Sequence, residues 1–245
     1  MVFRKELFIS LACFFLVIFS QIVSAETLVG PAQLSGKYSF GDGLGVNNDL
    51  NLSQDGTFSF KWRGCLGTYD ENEGPYTFKD GILILSPKRP NIQKGFQGTP
   101  TRFLPINWGD RLYLVSENQV LDFVNKINQG NEPRNNRFGY FYLREGDENK
   151  KVDGFPKLSA QWQEFLLKEP ISGEVVKKVN RKKGIVNRGK KDGLKVGMEL
   201  TARDAKDTRF TQLKVIAVEE ETAKVETLYK DYKVYKGDIV STRFY

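Results

Sequence analysis

Apolar and polar residues alternate along the first half of the chain, in short runs that are separated by turn residues. One such run occupies residues 50–52 and another occupies residues 58–62, with Asp-Gly at 55–56 between them. The pattern recurs in residues 76–85 around Asp-Gly at 80–81. An Asp-Gly pair flanked by period-two apolar residues is typical of a β-hairpin. The pattern therefore predicts two consecutive hairpins in an antiparallel meander.

A helical spacing of apolar residues interrupts the strands once in this half. Apolar side chains recur three and four positions apart from Val120 to Ile127, and Ser116 stands three residues before Gln119 as in a capping box. This spacing predicts one helix that ends near Gly130 and packs its apolar stripe on the sheet. A last strand over residues 138–144 is predicted to close the domain.

Three segments between these elements carry candidate features. Residues 86–105 contain four prolines and predict a long loop that could open a pocket. Cys65 stands between glycines 64 and 67, which predicts a bulge or corner with Cys65 as a small buried residue. The acidic run 70–73 lacks the ligand spacing of a calcium loop and predicts a hairpin tip.

About seven strands and one helix predict an antiparallel barrel or sandwich for residues 28–144. Its aromatic residues either fill the interior or line a pocket for a ligand, because barrels of eight strands do both. The candidate pocket residues are Phe58, Phe60, Trp62, Tyr76 and Phe78. In its hairpins and its Gly-x-Tyr opening at residues 36–38, this half resembles lipocalin-like bacterial exported proteins. The resemblance implies a carrier for a small apolar ligand.

Residues 145–170 predict a linker with one short helix. The first ten of these residues are polar and charged without apolar periodicity. Ser159 can then cap a short helix on which Trp162, Phe165 and Leu166 share a face, and the helix must stop before Pro170. A helix of this length needs a docking surface, so we expect the shared face to pack on one or both domains.

Short valine-rich strands alternate with turns in residues 171–245. The runs 175–179, 185–187, 213–218, 223–228 and 238–243 are the clearest strands. Glycines at 189, 193 and 197 predict tight reversals between them. The pattern predicts a small closed barrel of the SH3 or OB type. The whole chain is thus predicted to be mainly β.

The central motif of this half is Val-Asn-x-Gly-x-x-x-Gly-Leu-x-x-Gly-Met-x-Leu at 186–200, followed by Gly-Asp-x-Val at 237–240. Over residues 173–244 this order resembles the C-terminal barrel of the flagellar assembly protein T family and related envelope barrel modules. The resemblance implies a protein-binding or envelope-associated module rather than an enzyme. Its glycines and apolar residues occupy turn and core positions.

Positive charge is concentrated in the same half. The chain has a net charge of +7, and residues 168–195 contain ten Lys or Arg against three acids. Such a field attracts anionic envelope polymers or lipid head groups, and an envelope protein is the other candidate partner. No aromatic residue interleaves the lysines of this stretch, so nucleic acid is not expected. A solvated surface without a partner is the alternative. The candidate contacts are Lys177, Lys178, Arg181, Lys182, Lys183, Arg188, Lys190 and Lys191.

The first 25 residues have the layout of a secretory signal. Arg4 and Lys5 precede an apolar run at 7–19, and Val-Ser-Ala at 23–25 offers a cleavage site. We predict cleavage after Ala25, export to the periplasm or beyond, and no transmembrane segment in the mature chain. The alternative is an uncleaved anchoring helix, although the run is shorter than the about 20 residues that span a bilayer.

Histidine is absent from the sequence. This absence excludes Ser-His-Asp triads, Cys-His pairs and imidazole zinc sites. After removal of the signal, Cys65 is the one remaining cysteine, so no intramolecular disulfide can form. The sequence predicts a non-catalytic exported binding protein without cofactor or metal. An enzyme that uses carboxylates on a polysaccharide is a further alternative, and the oligomeric state stays open.

Overall fold

Two closed antiparallel barrels, one of eight strands and one of six, make up the fold. The structure is a computed structural model, and it describes residues 31–41, 47–90, 98–133 and 141–244. The mainly β prediction is confirmed. The predicted signal peptide, residues 1–25, lies outside the described residues.

The first barrel is a meander in which each strand pairs with the next and β8 closes on β1, with Tyr38 opposite Arg144. The predicted hairpins around residues 55–56 and 80–81 are confirmed as β2–β3 and β4–β5. The eight strands are β1 (Gly36–Gly41), β2 (Asn47–Leu52), β3 (Thr57–Gly64), β4 (Gly67–Lys79), β5 (Ile82–Leu85), β6 (Arg102–Trp108), β7 (Arg111–Ser116) and β8 (Tyr142–Arg144).

Helices are few and short. They are α1 (Pro31–Leu34), α2 (Val120–Asn128) and α3 (Ala160–Gln163), with 3-10 turns at Glu117–Gln119 and Lys190–Asp192. The predicted helix over residues 120–127 is confirmed as α2, and its apolar face packs with Ile106, Trp108, Val115 and Leu143 on the outer wall of the barrel. The predicted serine cap is absent, because the Ser116 hydroxyl bonds the side-chain amides before α2 instead of its backbone.

Two features of the β3–β4 hairpin differ from the prediction. Cys65 is exposed rather than buried, and the adjacent Leu66 is 90% exposed, because the hairpin turns at this point with Gly64 opposite Gly67. The acidic run 70–73 is therefore not a tip but the middle of β4. There Asp70 and Asn72 alternate into the barrel and are buried.

The predicted loop 86–105 is shorter than expected, because β6 begins at Arg102 and includes Pro105. The segment is buried on both faces, with Phe103 inside the barrel and Ile106 and Trp108 beneath α2. Burial on both faces removes the period-two alternation from which the other strands were predicted. The barrel thus has eight strands rather than about seven.

The second barrel has the strand order β10-β13-β12-β11-β14-β9. Gly184 lies in a strand with its Cα facing the core, where an added Cβ would lie 2.7 Å from Val234 Cγ1. The strands are β9 (Ser172–Lys178), β10 (Lys183–Val186), β11 (Glu199–Arg203), β12 (Phe210–Val218), β13 (Ala223–Thr227) and β14 (Ile239–Ser241).

The polar segment after β8 is folded against the first barrel rather than extended as a free linker. Asp147 is 1% exposed and accepts a hydrogen bond from the Leu112 backbone N–H at 2.8 Å. Its carboxylate also pairs with Lys150 at 2.7 Å and with Arg144 at 3.3 Å. This buried cluster fixes the start of the connection between the two barrels.

Helix α2 also contacts the second barrel, through two buried asparagines. The Asn125 amide donates to the Gly197 carbonyl at 3.0 Å and accepts from the Glu199 N–H at 3.3 Å. Gly197 has a φ of +94°, and an added Cβ would lie 2.5 Å from Leu121 Cδ2. Glycine is required here both by the left-handed backbone and by the close approach of α2.

Asn128, at the end of α2, binds the segment after α3 in the same way. Its side chain donates to the Phe165 carbonyl at 2.8 Å and accepts from the Leu167 N–H at 2.9 Å. The Arg243 guanidinium of the second barrel donates to the Asn128 carbonyl at 3.0 Å. Phe165 packs against the cores on both sides, so the predicted docking of this apolar residue is confirmed, but α3 ends at Gln163 and Phe165 and Leu166 follow it rather than lying on its face.

Candidate functional site

The five aromatic residues predicted to line a pocket lie inside the first barrel, but most of them fill it. Phe58, Phe60 and Tyr76 are buried in a continuous core with leucines from β2 and β5. Trp62 and Phe78 are partly buried against this core. Of the five, only Trp62 lines the cavity that remains inside the barrel.

That cavity has a volume of about 370 Å³ and lies at the end of the barrel where β1 and β3 finish and β2 and β6 begin. Its wall combines aromatic rings with small polar side chains. The lining residues are Phe40, Asn48, Trp62, Gly98, Thr99, Pro100, Phe103, Leu114, Ser116, Asn118, Gln119 and Tyr142. None of them carries a charge at neutral pH.

Tyr142 closes one side of this cavity. Its ring meets Phe40 and Phe103 edge-on, with centroids 4.7 and 5.7 Å apart. Burial raises the pKa of the Tyr142 hydroxyl well above its usual range, and the neighbouring Thr99 side chain partly opposes this shift. The hydroxyl therefore stays protonated at any physiological pH and serves as a neutral polar group.

A larger depression of about 820 Å³ lies on the outer wall of β1–β4. Its lining is charged, and its cations are matched by carboxylates: Arg63 pairs with Asp49, Lys61 with Glu71 at 3.7 Å, and Lys88 with Glu73 at 3.1 Å. A surface whose charges are satisfied internally offers little net field to a charged ligand. We do not take it as a functional site.

The structure does not bring the eight basic candidates of the second barrel together. Arg181 and Lys182 lie in the turn before β10, whereas Arg188, Lys190 and Lys191 follow its other end. At about 3.3 Å per residue, the two groups are separated by roughly 16 Å of strand. The continuous basic stretch of the sequence is thus two separate basic groups.

Carboxylates neutralise three of the eight. Lys183 pairs with Glu226 at 3.6 Å, Arg188 with Asp192 at 3.8 Å and Lys191 with Glu221 at 2.7 Å. The hydrogen bond that the exposed Lys191 donates to Glu221 raises the pKa of Lys191. Lys190 and Lys191 also donate their backbone N–H groups to the acidic turn 219–221. At this end Arg188 and Lys191 are therefore paired, whereas Lys190 forms no ion pair with a described carboxylate.

At the other end Lys183 is the paired member, and the remaining four candidate cations have no such compensation. Within the described part of the chain, Lys177, Lys178, Arg181 and Lys182 form no ion pair with a carboxylate. The irregular register between β9 and β10 places Lys178 opposite Gly184, where its ammonium lies 5.4 Å from the centroid of the Tyr235 ring.

Exposed aromatic rings lie at the same end of the barrel as this uncompensated group. Phe210 and Tyr229 are 61% and 55% exposed, and the ring of Tyr232 lies between them, 6.4 and 5.2 Å from their centroids. The Arg181 carbonyl accepts the Val234 N–H at 2.9 Å, which joins the turn before β10 to the segment that carries the tyrosines. We call this surface the aromatic-basic face, consisting of residues 178–182, Phe210 and residues 229–236.

A repeat in the sequence indicates this face, but it lies outside the basic stretch 168–195. Residues 229–236 read Tyr-Lys-Asp-Tyr-Lys-Val-Tyr-Lys, with a tyrosine directly before a lysine three times. Arg209 stacks on Tyr235, 3.9 Å from the ring centroid, and is held by Asp238 at 2.6 Å. Burial raises the pKa of Asp238, and Arg209 opposes the shift.

Other kinds of site find no support in the described residues. No cluster of His, Cys, Asp or Glu there could hold a metal ion. In the same ranges, no helix combines the length and apolar character that crossing a membrane requires. Compared with family models, with curated proteins and with solved structures, the chain finds no match.

Proposed function

We propose that this chain is an exported, non-catalytic binding protein whose second barrel contacts an anionic envelope polysaccharide through the aromatic-basic face. The observation that carries the proposal is the combination of uncompensated cations and exposed rings on one end of that barrel. Export rests on the predicted signal at residues 1–25, with the mature protein in the periplasm or outside the cell.

Charge supports the choice of an anionic partner. Arg181 and Lys182 have no carboxylate partner within the described residues, whereas Lys191, at the opposite end, pairs with Glu221 at 2.7 Å. Free cations at one end concentrate the positive potential there, and a polyanion gains most where the protein does not already neutralise its own charge. The predicted contacts at Arg188, Lys190 and Lys191 therefore contribute less.

The rings support a polymer with flat or apolar faces between its charges. Tyrosine and phenylalanine supply large, rigid contact surfaces at low entropic cost, and exposed rings of this kind are enriched at binding surfaces. A sugar ring can lie on Tyr232 or Phe210 while its carboxylate or phosphate reaches Arg181. Single-stranded nucleic acid offers similar chemistry, and the predicted export favours the polysaccharide.

A barrel of the SH3 or OB type fits this proposal, since six short antiparallel strands close the second barrel. The resemblance to the C-terminal barrel of the flagellar assembly protein T family also fits the proposal, because it implies an envelope-associated contact module. The proposal rests on the aromatic-basic face and depends neither on the barrel type nor on the resemblance to this family.

A binding experiment with matched charge reversals tests the proposal. The mature chain is passed over immobilised polygalacturonate, neutral dextran and single-stranded oligo(dT) at 50 and 200 mM salt. The variant Arg181→Glu/Lys182→Glu alters the face, and Lys190→Glu/Lys191→Glu makes the same change of charge at the other end. With about 1 kcal/mol for each cation near a polyanionic surface, the first variant loses at least about tenfold in affinity.

The outcomes separate the alternatives. Salt-sensitive binding to polygalacturonate that only the Arg181/Lys182 variant weakens supports the proposal. Equal losses in both variants would mean diffuse attraction without a defined face. Tighter binding to oligo(dT) would point to nucleic acid, and equal retention on dextran would remove the electrostatic argument.

The alternative, a lipocalin-like carrier for a small apolar ligand, has less support from the geometry. A deep apolar calyx requires an open interior, but Phe58, Phe60 and Tyr76 pack into a continuous core. The space that remains lies at one end of the barrel and has polar side chains in its wall. We therefore do not propose a deep carrier site.

A further inference from the structure

We propose that the cavity at the end of the first barrel binds a small uncharged ring compound that carries an amide or similar hydrogen-bonding group. This site is separate from the aromatic-basic face and belongs to the other barrel. Its key residue is Asn48, which the sequence did not single out.

Asn48 lies between two aromatic residues across three strands. It is opposite Phe40 on β1 and opposite Trp62 on β3, and all three line the cavity. Directly opposite residues in a sheet bring their Cβ atoms within about 4.5–5.5 Å of each other. This part of the cavity wall therefore presents the Asn48 amide between the rings of Phe40 and Trp62.

The Asn48 amide faces the cavity without a protein partner. The residue is 7% exposed, and its side chain forms no hydrogen bond with another residue in the described part of the chain. Its amide atoms are not among the fully enclosed polar atoms that lack a partner, so they are accessible from the cavity. A ligand that supplies both a donor and an acceptor can bond this amide, whereas a purely apolar ligand would enclose it without a partner, at a cost of about 1–3 kcal/mol.

A second polar group stands at the rim, contributed by the turn before α2. The buried Ser116 hydroxyl contacts the carbonyl oxygens of the Asn118 and Gln119 side chains, the latter at 3.2 Å. In this arrangement the amide nitrogens of both side chains keep their N–H groups available at the rim. They can donate to an oxygen of the ligand.

The composition of the cavity wall also indicates that the ligand carries no charge. None of the described lining residues is charged, and an uncompensated carboxylate or ammonium among them would lose its hydration without gaining an ion pair. Phe40, Trp62 and Phe103 provide ring contacts. The volume of about 370 Å³ is at the lower end of small-molecule sites, which span about 300–1,000 Å³. These features together favour a small, neutral, ring-shaped ligand.

The test compares probes that share one ring skeleton and differ in charge. N-phenyl-1-naphthylamine is neutral, and 8-anilinonaphthalene-1-sulfonate adds a sulfonate to the same rings. We expect the neutral probe to show enhanced fluorescence on binding and to bind at least tenfold more tightly than the sulfonate. Displacement by 2-naphthamide should be at least tenfold more effective than displacement by 2-naphthoate.

The variant Asn48→Leu tests the role of the amide, with Asn51→Leu on the outward face of the same strand as the matched control. In Asn48→Leu, 2-naphthamide should lose about tenfold in affinity, equivalent to about 1.4 kcal/mol, while the neutral naphthylamine changes less than threefold. Asn51→Leu should bind both as the wild type does. If Asn48→Leu does not fold, Asn118→Ala at the exposed rim should weaken naphthamide by about threefold.

Three results would overturn the proposal. The first is no fluorescence enhancement with the neutral probe. The second is equal affinity for the sulfonate, which would indicate nonspecific adsorption. The third is unchanged naphthamide affinity in a folded Asn48→Leu variant. None of these outcomes depends on whether the second barrel binds a polysaccharide.

Discussion

Replacing Asn128 by alanine should weaken the attachment between the two barrels. Asn128 is 3% exposed, and its amide forms two short hydrogen bonds, at 2.8 Å to the Phe165 carbonyl and at 2.9 Å from the Leu167 N–H. A net hydrogen bond contributes about 0.5–1.5 kcal/mol, and a buried group left without its partner costs about 1–3 kcal/mol. Because residues 165–167 keep partial access to water, we expect a total loss of about 2–3 kcal/mol.

Urea unfolding of the mature chain, followed by tryptophan fluorescence and by circular dichroism, measures this loss. With an m-value of about 2 kcal/mol/M, the transition midpoint should fall by about 1–1.5 M. The barrels could also separate into two transitions, in which case the two probes would no longer coincide. Asn128→Asp should be at least as harmful, because its carboxylate would face the Phe165 carbonyl.

Asn131→Ala is the matched control, since among the described residues the Asn131 side chain hydrogen-bonds the Gln129 side chain alone, at 3.4 Å, just after the end of the same helix. It should change the free energy of unfolding by no more than about 0.5 kcal/mol. If Asn128→Ala behaves like this control, the amide does not hold the connection in place and the reasoning fails.

Three further changes test the fold. Gly74→Ala should destabilise the first barrel by at least about 1–3 kcal/mol in chemical denaturation, because its Cβ would lie 2.0 Å from the Ser86 carbonyl oxygen; a neutral result would contradict the close approach. Asp147→Ala removes a buried, ion-paired carboxylate and should cost about 3–5 kcal/mol, and a loss under 1 kcal/mol would show that the cluster is not structural. Hydrogen bonds from Thr57 lower the pKa of Asp55 below its usual 3.8, so the carboxylate contributes stability above that pH and loses it as the pH falls through the lower folded value. The stability difference between wild type and Asp55→Asn should therefore shrink below about pH 4, and a difference independent of pH would refute the assignment.

Local hairpins could be predicted from the sequence, whereas contacts between distant residues could not. The alternation around residues 55–56 and 80–81 specifies its own turn and pairing. The start of strand β6 was not predicted, because α2 covers its outer face and the strand therefore lacks the alternating polar positions of a half-exposed strand. Closure of β1 on β8 leaves no local pattern, since the two strands are separated by most of the barrel.

The sites show the same limit. On α2 the helical period correctly identified the face that packs on the barrel. Asn125 and Asn128 have the pattern of surface residues, and they are buried because the second barrel meets Asn125 and the segment after α3 meets Asn128. Asn48 is also a polar residue that the sequence pattern does not mark as buried, and it faces the barrel interior because of the register of β2. The Tyr-Lys repeat at 229–236, by contrast, was visible in the sequence, although nothing local indicated that it meets Arg181. The domain boundaries at 144/145 and 170/171 stay predictions.

The central claim concerns where a polyanion contacts the second barrel, and nuclear magnetic resonance measures this most directly. In two-dimensional spectra of the ¹⁵N-labelled mature chain titrated with oligogalacturonate, we expect amide shifts to concentrate at residues 178–182 and 229–236. The amides of residues 188–191 and 219–221, at the other end of the barrel, should change little. Shifts confined to that other end or to the first barrel, or an unchanged spectrum, would contradict the proposal.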